Sequence, residues 1–173
     1  MRLSMSYFIL PALVAASTLG YAQGKLDRQD AKALKNLAEA NRAEVDAGKI
    51  ALEKAQSADV KKFAQHMVDD HGKMLGEVQQ LAEAKGVKLS DDAGVKNKAK
   101  EKKLEAASGE KFDKDYVQAM VKDHQADVKE LEKLSKNAKD PQVKAAVDKA
   151  LPAVKKHLEM AKQLAAGPSA AKH

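Results

Sequence analysis

The stretch FAQHMVDDHGKMLGEVQQL, Phe63 to Leu81, returns as YVQAMVKDHQADVKELEKL, Tyr116 to Leu134, at a constant offset of 53 residues. Seven of the 19 aligned positions are identical, among them Met67/Met120, Val68/Val121, Asp70/Asp123 and His71/His124. In both copies the apolar residues recur every three or four positions, the spacing of one face of a helix. Each copy therefore reads as the middle of a long amphipathic helix carrying Met-Val-x-Asp-His. Helical packing accounts for the methionines and valines. It does not account for an Asp-His pair placed twice.

Working outward, the flanks are helical too. Ala, Lys, Glu, Leu and Gln dominate, all good helix formers, and no segment alternates β-branched and aromatic residues as a strand does. A first helix is expected from Arg28 to Gln56, with Leu34, Leu37, Ala38, Val45, Leu52 and Ala55 inward. Ser57 caps a second helix that ends near Lys85, before Gly86. A third long helix spans about Lys111 to Asn137. A fourth opens at Pro141, capped by Asp140, with Pro152 expected to kink it or cost a hydrogen bond. The fold class is all-α, a ferritin-like four-helix bundle. Between the second and third long helices lie Gly86 to Glu110, which include a short basic helix over Val95 to Ala107. A connection of this length can cross the whole bundle and make those two helices parallel. A plain up-and-down bundle with a surface insertion is the alternative, and the crossover is preferred.

The N-terminus reads as an address. After Arg2, the apolar run Tyr7 to Leu19 is 13 residues long, and Gly20-Tyr21-Ala22 offers small residues for a cleavage site. A membrane span needs about 20 apolar residues, so a secretory signal peptide over residues 1–22 is preferred to an uncleaved anchor. Cleavage leaves the bundle domain, residues 23–166, and a disordered tail, 167–173, with no transmembrane span in the mature protein. The net charge falls from +6 to +5 with the loss of Arg2. The chain contains no cysteine, which excludes disulfide scaffolds, thiol nucleophiles, Cys-type zinc sites and a lipoprotein anchor. The expected location is periplasmic or secreted.

The histidines fall on the buried stripes. His71 follows Met67 by four residues, His124 follows Met120 by four, and His157 lies between Val154 and Ala161. On the first helix, Glu44 and Asn41 interrupt the seam. Counting from the turn at Ser57, Glu44 is 13 residues back and His71 14 forward. From Lys139, His124 is 15 back and His157 18 forward, an offset of about 4.5 Å at 1.5 Å per residue. All four reach one layer of the bundle. Imidazole and carboxylate there suit a divalent transition metal (Fe, Mn, Cu or Zn), with Glu44, His71, His124 and His157 as ligands. Asp70 and Asp123 either ligate directly or orient an imidazole on a neighbouring helix. The alternative is a hydrogen-bonded Asp-His layer that only fixes helix packing, in a structural or stress-related envelope protein.

These residues resemble domain-of-unknown-function family 4142, from about Asp30 to Leu164. The carriers are Asn41-Arg42-Ala43-Glu44 with Gly48-Lys49-Ile50-Ala51, Val60 to His71, Phe112-Asp113-Lys114-Asp115-Tyr116, Met120 to His124, and Leu151-Pro152 with His157. The resemblance implies an exported ferritin-like bundle and no established reaction. It also makes Pro152 part of the pattern.

Other signals narrow the reading. Carboxylate-bridged di-iron bundles place Glu-x-x-His on two helices. Here Val68 and Val121 stand three residues before His71 and His124, so an oxygen-activating di-iron centre is not expected. No Ser-His-Asp order, phosphate-binding glycine loop or paired catalytic acids points to an enzyme. His66 is expected in solvent. The basic run Lys96 to Lys103 is a surface for weak contact with anionic envelope components, and no nucleic-acid partner is expected of an exported protein despite a pI near 9.3.

Overall fold

The computed structural model describes residues 26–167, and the proposed signal peptide and residues 168–173 of the tail lie outside them. Five helices follow in order: α1, Arg28–Lys54; α2, Ala58–Ala84; α3, Val95–Ala106; α4, Gly109–Asn137; and α5, Pro141–Ala166. Caps fix their starts. Asp27 accepts from the Gln29 amide at 2.8 Å, Ser57 from the Val60 amide at 3.4 Å, and Asp140 from the Gln142 and Val143 amides at 2.9 and 3.1 Å.

Two buried or part-buried carboxylates pin the ends together and show how the helices run. Asp113, near the start of α4, accepts from the backbone amides of Gln56 and Ser57 at 3.0 and 2.7 Å. This contact takes Gln56 out of α1, which ends at Lys54, two residues before its expected end. At the opposite end, Asp30 of α1 accepts from the Lys139 and Asp140 amides at 3.0 and 2.7 Å, and Lys85 at the end of α2 pairs with Asp140 at 2.6 Å. Thus α2 and α4 both start at the Asp113 end and finish at the Asp140 end. They are parallel, and the connection carrying α3 is the expected crossover. Helix α1 packs beside α2 and α4, and α5 beside the same two, leaving α2 and α4 on one diagonal.

The α1–α2 approach is close because Gly48 permits it. A Cβ there would sit 2.8 Å from Val68 Cγ2 and 3.1 Å from the Ala64 carbonyl oxygen. The buried seam of α1 therefore runs through Ala47, Gly48 and Ala51, and Val45 and Leu52, expected inward, flank it half-buried. Helix α5 continues through Pro152, where Pro152 and Asp148 are both exposed, so the carbonyl without a helical donor is open to water.

Apolar cores fill both ends. Phe63, Met67, Phe112, Tyr116 and Met120 pack with the α1 alanines at one end. Leu131, Leu134, Val147 and Val154, with Leu34, Val78 and Val143, fill the other. A polar layer separates them, made of the buried side chains of Asn41, Glu44, His71, His124 and His157.

Candidate metal centre

Each long helix delivers one part of this layer. Because α2 and α4 are parallel and diagonal, the 53-residue repeat brings His71 and His124 together across the bundle axis, their rings nearly perpendicular and their Nε2 atoms 3.4 Å apart. His157 of α5 completes a triangle, with ring centroids 5.4 Å (His71–His124), 5.1 Å (His71–His157) and 5.6 Å (His124–His157) apart. One ring nitrogen from each lies within 4.8 Å of the other two. All three rings are buried.

The hydrogen bonds around the rings dictate where their protons sit. Asn41 Nδ2 donates to the Leu37 carbonyl at 2.7 Å, which turns Asn41 Oδ1 toward His71 Nδ1 at 2.9 Å. Only a protonated Nδ1 makes that contact favourable, so the His71 lone pair is on Nε2. His124 Nδ1 donates to the Met120 carbonyl at 3.0 Å, leaving its lone pair on Nε2 as well. His157 Nε2 donates to Asp70 Oδ2 at 2.8 Å, and its Nδ1 is buried without a partner. Every ring thus commits its N–H to an outer acceptor and keeps one unshared lone pair. Two of those lone pairs confront each other at 3.4 Å. Such a contact is repulsive unless a proton or a cation stands between them.

Electrostatics keep the rings neutral. Burial first, and then the neighbouring rings His124 and His157, hold the His71 pKa well below its usual value. For His124, burial and His157 together push it down to about 4. Burial also lowers His157, against the pull of Asp70 upward. Neutral imidazoles with fixed outer hydrogen bonds are what metal-ligating histidines require.

Of the residues expected from sequence, His71, His124 and His157 converge. Asp70 does not reach the cluster's interior: its side chain is 52% exposed and it acts by holding His157. Asp123 pairs with Lys100 of α3 at 2.7 Å instead of orienting an imidazole. The reason is local. The flank of α2 bearing Asp70 faces α5, whereas the equivalent flank of α4 lies where α3 crosses and supplies a cation. Glu44 is buried, with 5% exposure and Oε2 unpartnered, and it groups with His124 and Asp127 within 4.8 Å. Burial raises the Glu44 pKa well above the carboxylate range, with Asp127 and Asp123 adding to it. Burial and Asp123 raise Asp127 to about 6. Asp127 is not among the residues expected from sequence, although it lies three residues after His124 and four before Leu131 on the same stripe and replaces Met74 at the 53-residue offset. His66 is exposed, as expected. In the basic run, Lys98 pairs with Asp92 at 2.7 Å and Lys100 with Asp123.

Among the described residues no helix is long and apolar enough to cross a membrane. No curated protein matches the chain by sequence. In structure it is similar to a DUF305 fragment from Deinococcus radiodurans, with TM-score 0.73 and 12% identity, covering 82% of this chain and 97% of that one. It is also similar to CopM in the Cu(I)-bound form, with TM-score 0.65 and 20% identity over 78% of this chain and 94% of that one. CopM in an Ag-bound form gives TM-score 0.62 at 20% identity, over 78% and 93% of the two chains. At these identities the likeness establishes a shared helical bundle. In sequence, a family model covers residues 15–164, starting ahead of Asp30, and on that extent the chain belongs to the family described as Domain of unknown function (DUF4142).

Proposed function

We propose that this is an exported metal-binding bundle that holds one transition-metal ion on His71, His124 and His157. The observation that carries the reading is a buried group of three imidazoles, one nitrogen of each within 4.8 Å of the others, whose N–H groups are all engaged by other residues. A layer built only to fix helix packing would pair those nitrogens with donors. Instead, His157 Nδ1 is orphaned and two Nε2 atoms oppose each other. An ion accepting all three lone pairs satisfies every one of these atoms.

The donor set also favours one class of ion. Three neutral imidazoles bring no compensating charge, so a monovalent ion is buried at less cost than a divalent one. Imidazole suits zinc, copper, iron and nickel, and of these copper has a ready monovalent state, which points to Cu(I), with Ag(I) as its stable analogue. That CopM, a protein of similar fold, is known in Cu(I)-, Cu(II)- and Ag-bound forms supports the choice of copper. In this reading Asp70 orients His157 and Asn41 orients His71, and neither touches the ion. Asp123 is held by Lys100 and plays no part. Export rests on the leader-like residues 1–22, and the cysteine-free composition suits an oxidising envelope.

Elemental analysis of the tag-free chain tests the reading, as purified and after incubation with copper, zinc, iron and manganese. The expected result is one equivalent of copper, absent from the His71→Ala/His124→Ala variant. A wild-type protein that takes up no metal would overturn it. That result would leave a non-catalytic envelope protein in which His71→Leu/His124→Leu folds normally.

A further inference from the structure

A second group of ligands lies beside the triad and opens to solvent. Between α1, α3 and α4 is a cavity of about 390 Å³. It exists because alanines line the facing helices there (Ala40, Ala43 and Ala47 on α1, Ala119 and Ala126 on α4), while α3 crosses above, anchored by the buried Leu104. Glu44 and Asp127 stand in its wall, and the unpartnered Oε2 belongs to a residue 95% buried. Asp127 also lines a smaller recess of about 140 Å³ that reaches Asn41 and His71. The same carboxylate therefore borders both the outer cavity and the inner rings.

We propose that Glu44, Asp127 and His124 form a second cation position, for a hard divalent ion, that shares His124 with the triad and cannot be filled together with it. The exclusivity follows from the rings. His124 Nδ1 is committed to the Met120 carbonyl, so Nε2 is the only nitrogen free to ligate, and one lone pair serves one ion. Two carboxylates and one imidazole favour oxygen-seeking divalent cations such as Mn2+, whereas the uncharged all-imidazole triad favours a monovalent ion of the copper type. Water occupies about 30 Å³ per molecule, so the cavity has room for an ion that keeps several waters, as such cations do. Lys100, Lys103 and Lys122 also line this cavity, alongside Glu101, Asp115 and Asp123, and Lys100 is paired with Asp123 at 2.7 Å. The second position does not require the triad to bind metal; the mutual exclusion rests on that reading.

The test uses the full chain at pH 8 with Mn2+ and Ag+ as probes, Mn2+ being followed by the loss of its free-ion paramagnetic resonance signal. Wild type is expected to bind one Mn2+ and to release it when one equivalent of Ag+ is added. Glu44→Gln/Asp127→Asn should weaken Mn2+ at least tenfold while Ag+ affinity stays within threefold, and His124→Ala should lose both. Helical circular dichroism confirms the fold of each variant, and Asp127→Asn alone, at a half-buried position, serves if the double variant unfolds. No Mn2+ bound by wild type, or Mn2+ affinity unchanged in the carboxylate variants, overturns the second position. Mn2+ and Ag+ bound together overturn the shared ligand. If Ag+ fails to bind wild type, the triad reading falls, and the Mn2+ comparison still decides the second position.

Discussion

His71 and His124 meet across the bundle axis with their Nε2 atoms 3.4 Å apart, and neither nitrogen carries a proton, because Asn41 and the Met120 carbonyl hold the protons on the opposite sides of the rings. A lone-pair confrontation of this kind in a buried layer is unfavourable by itself. It becomes favourable when an ion lies between.

Asn41 is the clearest lever on that geometry. Asn41→Leu removes the acceptor that fixes the His71 tautomer, leaving a buried N–H unsatisfied at a cost of about 1–3 kcal/mol. Loss of such a supporting hydrogen bond lowers metal affinity by about 10–100-fold. Competition titration with Ag+ measures it, and Asn41→Asp, which keeps an acceptor, should retain most of the affinity. Equal affinities in wild type and Asn41→Leu would count against the tautomer argument.

The acidic neighbours predict a pH signature in the metal-free protein. Asp127 is raised to about 6 by burial and then by Asp123, with Lys100 opposing. A carboxylate whose pKa is higher folded than unfolded binds more protons in the folded state, so its contribution to stability is lost as pH rises from about 4 to about 6. The shift from 3.8 is about two units, and at roughly 1.4 kcal/mol per unit Asp127→Asn should stabilise the bundle by about 3 kcal/mol at pH 8. The gain should vanish near pH 3.5. The histidines have the opposite sign: depressed in the folded state, they cost stability as pH falls below about 6.5. Thermal melts of both proteins from pH 3.5 to 8 would show the curves converging at the acid end. Parallel curves would mean that the half-buried Asp127 is not held in the desolvated surroundings described.

Gly48 predicts a packing defect. Alanine gains about 1 kcal/mol of helix propensity over glycine, but its Cβ would meet Val68 Cγ2 at 2.8 Å and the Ala64 carbonyl oxygen at 3.1 Å. The second contact is with backbone and cannot rotate away, so α1 and α2 must separate. Overpacking of this kind costs about 1–3 kcal/mol. Gly48→Ala should therefore lower the urea midpoint, for a net loss of about 1 kcal/mol. Adding Val68→Ala should restore only part of it, since the carbonyl contact remains. A midpoint at or above wild type would contradict this close approach.

The parts legible in the sequence were those governed by period and length. The apolar stripes placed His71, His124 and His157 inward, and the residues between Gly86 and Glu110 were enough to cross the bundle. The parts that were not legible depended on which neighbour a flank meets. Asp70 and Asp123 are equivalent in the repeat, yet one faces His157 and the other faces Lys100, because only one flank is crossed by α3. Asp127 stands seven residues after Met120 and four before Leu131, on the same stripe, but an aspartate there reads as a solvated charge, and only the α1–α3–α4 packing shows it half-buried. Asn41 was visible on the buried seam, but its role depends on the Leu37 carbonyl turning its amide, which periodicity does not specify.

The most direct test of the metal site is a long-range proton–nitrogen correlation spectrum of the imidazoles, with and without one equivalent of Ag+. The prediction for the metal-free protein is three neutral rings, protonated at Nδ1 in His71 and His124 and at Nε2 in His157. Ag+ should shift His71 Nε2, His124 Nε2 and His157 Nδ1 and leave the exposed His66 unchanged. Reversed tautomers, or an Ag+ response confined to His66, would contradict a buried three-imidazole site.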